Sequence, residues 1–137
     1  MYETFEHTAD LGLRVRASDL DSLFAEAGRG LFSMIIANLD EVRLIEEVSL
    51  GVVGAELDYL FFDWLNELLY IFETRRLVLA HFEVKVADGG VQATARGEPF
   101  DSARHRPEHE VKAITYHELK VEQQADGTWL AEVIVDI

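Results

Sequence analysis

Two short runs of alternating apolar and polar positions open the chain, Tyr2 to His7 and Leu11 to Ala17, the second setting Leu13, Val15 and Ala17 against Arg14 and Arg16. Alternation with a period of two predicts half-buried strands. The pattern then turns helical. Leu20, Phe24, Ala27, Leu31 and Ile35 form one stripe with Leu23 and Met34 beside it, which predicts a helix over about 19–36. Ser18 stands where a hydroxyl can accept the first free backbone N–H groups, while Asp19 and Asp21 complement the positive end of the helix dipole. Gly28 and Gly30 lie inside this helix at a cost of roughly 1 kcal/mol each against alanine, so they are read as points of close packing against a sheet. As a phosphate loop the isolated Gly-x-Gly is a poor candidate, because no strand directly precedes it.

Asn38 to Glu41 is a polar turn and Val42 to Leu50 reads as a strand rich in acids, with Gly51 and Gly54 flanking the next connection. Residues 56–72 return to helical spacing, with Leu57, Leu60, Phe61, Trp64, Leu65, Leu68 and Phe72 on one side, and should cover the sheet. Leu77 to Val86 and Val91 to Gly97 make a hairpin turned at Asp88-Gly89-Gly90, and residues 98–107 are irregular. The chain closes on a β-hairpin over residues 110–137, in which Asp126-Gly127 supplies the positive-φ turn. Trp129, Ala131, Val133 and Val135 share one face and Leu130 and Ile134 the other, so the final strand belongs in the interior of a sheet. These elements predict an α+β fold (a two-layer α/β arrangement), one domain spanning residues 1–137, with mixed, largely antiparallel sheets covered by two helices.

Composition adds limits. With 137 residues the chain can bury a continuous core without staples, and 49% hydrophobic with 28% charged residues is ordinary globular usage. The absence of cysteine excludes thiol catalysis, thiolate metal ligands and disulfides, and fits an intracellular, cytoplasmic protein. No signal peptide or apolar run of membrane-spanning length is read, so no membrane association is expected. A net charge of −14, from 26 acidic and 12 basic residues, opposes direct nucleic-acid binding and favours cations or basic proteins as partners. It also serves solubility alone.

The candidate chemistry lies at the end of the chain. Asp136 and the free carboxylate expected at Ile137 place two negative groups at the tip of an apolar strand, which calls for a cation, a lysine, a histidine or a proton. An uninterrupted hairpin sets His117 opposite Asp136 and Tyr116 opposite Ile137, with Lys112 about 13 Å beyond at strand rise. His7 and Asp10 occupy the corner His7-Thr8-Ala9-Asp10, as metal ligands or as a hydrogen-bonded turn. Asp10, Asp136 and Ile137 could supply oxygens to a hard divalent ion, calcium tolerating an irregular set better than zinc. A charge cluster satisfied by Lys112, arginines and histidines is the other reading. Asp63 and Glu67, four apart on the second helix, suit a cation or a solvated face. Arg104, His105, Arg106 and His109 form a basic patch, read either as an offset to local acidity or as a docking segment. No Gly-x-Ser-x-Gly, Walker, His-Glu-x-x-His or EF-hand pattern is present.

Five stretches together resemble the archease family: His7-Thr8-Ala9-Asp10-Leu11-Gly12, Gly30-Leu31-Phe32, Trp64-Leu65-Asn66-Glu67-Leu68-Leu69, Glu110-Val111-Lys112-Ala113-Ile114-Thr115-Tyr116-His117 and Val135-Asp136-Ile137. They run in order across nearly the whole chain. The resemblance implies a compact α/β fold and an accessory protein of tRNA splicing that helps an RtcB-type RNA ligase become guanylylated and turn over repeatedly, without catalysis of its own. It further implies a divalent ion, calcium in particular, at Asp10, Asp136 and Ile137, and a functional Lys112. His7 and His117, from the corner and the ladder, join Lys112 as candidate charged, partner-facing residues. A small metal-dependent phosphoester hydrolase using Asp10, His117 and Asp136 is an alternative that lacks an evident nucleophile. A general chaperone is another, and predicts exposed apolar surface.

Overall fold

Strands form where the pattern alternates and helices where it repeats at 3.6, and the computed structural model, which describes residues 1–7 and 10–137, follows that order. Its elements are β1 (Tyr2–His7), β2 (Asp10–Ala17), α1 (Leu20–Ile35), a 3-10 turn (Leu39–Glu41), β3 (Glu46–Val53), α2 (Leu57–Arg75), β4 (Leu77–Ala87), β5 (Gly90–Pro99), β6 (Ala113–Gln123) and β7 (Trp129–Asp136). The strands make two antiparallel sheets, ordered β1-β2-β7-β6 and β3-β5-β4. The fold is α+β, as the pattern predicts. Thr8 and Ala9, the middle of the expected polar corner, lie outside the described residues.

Helix α1 packs on β4 of the smaller sheet and β2 of the larger, and α2 packs on β6 and β3. The two helix glycines show why α1 can do this. A Cβ at Gly28 would stand 3.0 Å from the Phe82 ring of β4, and one at Gly30 would stand 2.6 Å from Leu13 of β2. Residues two apart project from a helix about 200° apart, so each glycine admits a different sheet. Trp64 of α2 is fully buried and donates its indole N–H to the Phe24 carbonyl of α1 at 2.9 Å, joining the helices inside the core.

Several boundaries move for identifiable reasons. Asp19, not Ser18, caps α1: its Oδ1 accepts the Ser22 N–H at 2.8 Å. Asp21 accepts the Val86 N–H at 2.7 Å and ties the helix start to β4. The strand expected from Val42 begins only at Glu46, because the Arg43 N–H is taken by the Glu98 carboxylate at 2.7 Å and leaves the ladder. Helix α2 continues past residue 72 to Arg75 and stops at Arg76 in the left-handed region, φ 52°, whose guanidinium lies 4.5 Å over the Phe72 ring.

The terminal hairpin departs most. Strand β7 is interior, between β2 and β6, as its two apolar faces require. Its register with β6 pairs Gln123 with Trp129 and Lys120 with Glu132, then shifts by three residues, so that Thr115 pairs with Ile134 and Ala113 with Asp136. His117 is therefore not opposite Asp136, nor is Tyr116 opposite Ile137. The extra residues form a bulge with Glu118 in the left-handed region at φ 57°. Tyr116 at its start stacks on Phe62 of α2, ring centroids 3.9 Å apart, with Tyr59 edge-on at 5.3 Å.

Candidate functional site

Leu13 and Val15 of β2 and Ala131, Val133 and Val135 of β7 are fully buried. Alternation then places Asp10, Gly12 and Arg14 of β2, with Glu132, Ile134 and Asp136 of β7, on the opposite face of the larger sheet. On that face the register makes one row of cross-strand partners, His7, Asp10, Asp136 and Ala113. The two aspartates thus come together at one end of the sheet as direct neighbours. Cα atoms of such pairs lie about 4.5–5.5 Å apart, and like charges placed so repel.

The arginine of that face is engaged elsewhere: Arg14, four residues along β2, is held by Glu3 at 3.2 Å and Glu132 at 3.3 Å, with its guanidinium 4.6 Å over Phe5. Among the described residues, no ion pair within 4.0 Å reaches Asp10, Asp136 or the Lys112 amine. The register of β6 brings Lys112 to the chain's last strand: its N–H donates to the Asp136 carbonyl at 2.8 Å, instead of lying some ~13 Å past the end as an unbroken ladder requires. Ile137 follows immediately, half-buried against the core. The site thus offers two adjacent carboxylates, backbone carbonyls and one lysine, an oxygen-rich set that fits a hard divalent ion.

Lys112 also lines a groove of about 650 Å³ between α2 and β3, with Asp63, Asn66, Glu67, Tyr70 and Glu73. The helical spacing of Asp63, Glu67, Tyr70 and Glu73 places them on one face of α2; Lys112 joining them depends on where β6 begins. At the groove's edge, partial burial raises the Tyr116 phenol above its ordinary value, and the nearby Asp63 carboxylate adds to this.

His7 and His117 are not beside Asp136 through a ladder pairing. Their rings meet each other, centroids 5.5 Å apart, at the bulge of β6, and Glu118, which the sequence reading passes over, lies against both. Nothing local signals Glu118; the bulge that carries it coincides with the stacking of Tyr116 on Phe62 of α2.

Two residues of the basic segment, Arg104 and His105, turn toward Glu98. Arg104 pairs with Glu98 at 2.6 Å, and His105, buried, approaches the other Glu98 oxygen at 3.0 Å through Nε2 while its Nδ1 accepts the Asp101 N–H at 2.9 Å. Burial alone would raise the Glu98 carboxyl; the Arg104 guanidinium, the Arg43 N–H and His105 outweigh it and hold the group at about 2. Arg104 and His105 therefore serve to anchor the loop, by the first of the two readings of that patch.

Comparison with known proteins converges on one family. The Archease protein family profile matches residues 2–137. Protein archease of Methanopyrus kandleri is 43% identical over 140 residues, covering 99% of each chain. That of Pyrococcus furiosus is 39% identical over 140 residues, covering 99% of this chain and 98% of its own. Among solved structures, the solution structure of Methanobacterium thermoautotrophicum protein 1598 superposes with a TM-score of 0.87 at 32% identity, covering 99% of this chain and 98% of that one. A crystal structure from Thermotoga maritima, described as an archease and possible chaperone, gives 0.66 at 25% identity, covering 100% and 98%.

Proposed function

This chain belongs to the Archease protein family, and on that premise we propose that it is an accessory protein without catalysis of its own, which activates an RtcB-type RNA ligase in tRNA splicing. Asp10, Asp136 and Ile137 hold a divalent ion, calcium by the hardness of the donors, and Lys112 completes the charged tip that docks at the ligase's active-site mouth. The bound ion supplies positive charge that allows the two carboxylates to sit together. Its effect on the ligase is to promote guanylylation and repeated turnover.

One observation carries this reading: Asp10 and Asp136, 126 positions apart in the chain, are direct cross-strand partners, and among the described residues no cation of the protein is paired to either. The net charge of −14 supports it, since an enzyme that grips RNA must present a basic groove. The test is ligase turnover with Asp10→Ala, Asp136→Ala and Lys112→Ala proteins shown to be folded. Loss of stimulation is expected in each. Full stimulation by all three overturns the reading.

A second reading, protection of client proteins, has one observation in its favour: Leu44, Ile45 and Val53 are exposed, Val53 at 88%. Suppression of aggregation of unrelated proteins, lost on Ile45→Ser and Val53→Ser substitution, would support it over the ligase reading.

A further inference from the structure

Three side chains to which the ligase reading gives no ion-binding role meet at the end of β1. His7 comes from one edge strand of the larger sheet, and His117 and Glu118 come from β6, the other edge. One Glu118 oxygen lies 3.4 Å from His7 Nε2, and the other lies 3.6 Å from His117 Nε2. One donor atom from each residue falls within 4.8 Å of the other two. We propose that His7, His117 and Glu118 form a second metal site, for a borderline divalent ion of the zinc class, which clips the two edges of the sheet together.

Consecutive residues of a regular strand point to opposite faces. His117 and Glu118 approach the same ring because the bulge puts Glu118 in the left-handed region at φ 57°, a conformation that non-glycine residues rarely hold and that gathers at functional sites. The Nε2 atoms of His7 and His117 both face the Glu118 carboxylate, so the three donor atoms converge on one point. Donor type then selects the ion. Two imidazole nitrogens and one carboxylate suit Zn²⁺, Co²⁺ or Ni²⁺ and discriminate against Ca²⁺, which takes oxygens. With metal–ligand bonds of about 2.0–2.1 Å, neighbouring donors of a tetrahedral zinc ion stand roughly 3.3 Å apart, and donor atoms that already lie within 4.8 Å of one another reach that spacing by side-chain rotation of the exposed His117 and Glu118. Three protein ligands leave the fourth position for water or for a donor from a partner.

His7 is also the cross-strand neighbour of Asp10, so an ion here would steady the strand end that carries that aspartate. The proposal stands independently of the ligase reading, and its test does not involve a ligase. Chelator-treated full-length protein is titrated with Co²⁺ and followed by visible absorption. One equivalent should develop the intense bands of a tetrahedral nitrogen-containing site, and Zn²⁺ should abolish them. His117→Ala, at an exposed position, should weaken binding by about tenfold or more. Glu118→Gly should do the same while relaxing the backbone, so its loss of binding cannot be ascribed to misfolding. Asp136→Asn should leave the bands unchanged. Absence of bands in the parent protein, bands that survive His117→Ala and Glu118→Gly, or bands that vanish only with Asp136→Asn would overturn it.

Discussion

The backbone N–H of Lys112 donates to the carbonyl of Asp136 at 2.8 Å, so the lysine is attached to the acidic strand through its main chain, and its amine forms no ion pair within 4.0 Å among the described residues. Lys112→Ala keeps that hydrogen bond and removes only an exposed side chain. Stability should change by no more than about 0.5 kcal/mol, while ligase turnover falls. Parallel urea melts and turnover assays check this; a large loss of stability would make Lys112 a structural residue instead.

Asp136→Asn separates the cost of the acidic pair from its use. Without divalent ions the variant should be more stable than the parent by roughly 0.2–1 kcal/mol, since like charges directly opposite repel. With calcium at about a hundred times its dissociation constant the parent should gain roughly 2.7 kcal/mol and the variant far less. Thermal melts in chelator and in calcium read both effects. An equal calcium shift in the two proteins would place the ion elsewhere.

Gly30→Ala tests packing against propensity. In an exposed helix alanine is favoured by roughly 1 kcal/mol, but here its Cβ would stand 2.6 Å from Leu13 Cδ1 in the core. Overpacking of this kind costs about 1–3 kcal/mol, so the variant should unfold at lower denaturant. A gain in stability would show that β2 can retreat from α1.

Glu98 sets an acid limit on stability. Its carboxyl is held at about 2 against an ordinary 4.5, so its contribution is complete above pH 4.5 and is lost as pH falls toward 2. A difference of that size corresponds to roughly 3 kcal/mol. Glu98→Gln should cost about that much at pH 7 and make stability less steep between pH 5 and 2. Denaturant midpoints across that range provide the measurement, and parallel profiles for the two proteins would remove Glu98 from the explanation.

Periodicity alone determined the elements, because the face a residue buries follows from its neighbours at two or at 3.6 positions: the stripe of Leu20, Phe24, Ala27, Leu31 and Ile35 became α1, and the doubly apolar run from Trp129 became the interior strand β7. The same local logic singles out Asp136, since an acid at the tip of a buried strand is legible without coordinates; Asp10 stands out only as part of a polar corner, and the resemblance joins it to Asp136. A hairpin turn, however, dictates pairing only until the ladder is interrupted. The turn spans Ala125 to Gly127, one residue more than the two-residue reading, which already moves the ladder by one. At the bulge of β6, Tyr116 packs on Phe62 and Tyr59 of α2, more than 50 residues earlier in the chain. Longer turn and bulge together put Ala113 and not His117 opposite Asp136, bring Lys112 to the chain's last strand, and turn His117 and Glu118 toward His7. The periodic positions are set by each residue's own neighbours; the shift of three coincides with contacts between side chains that only the folded protein brings together.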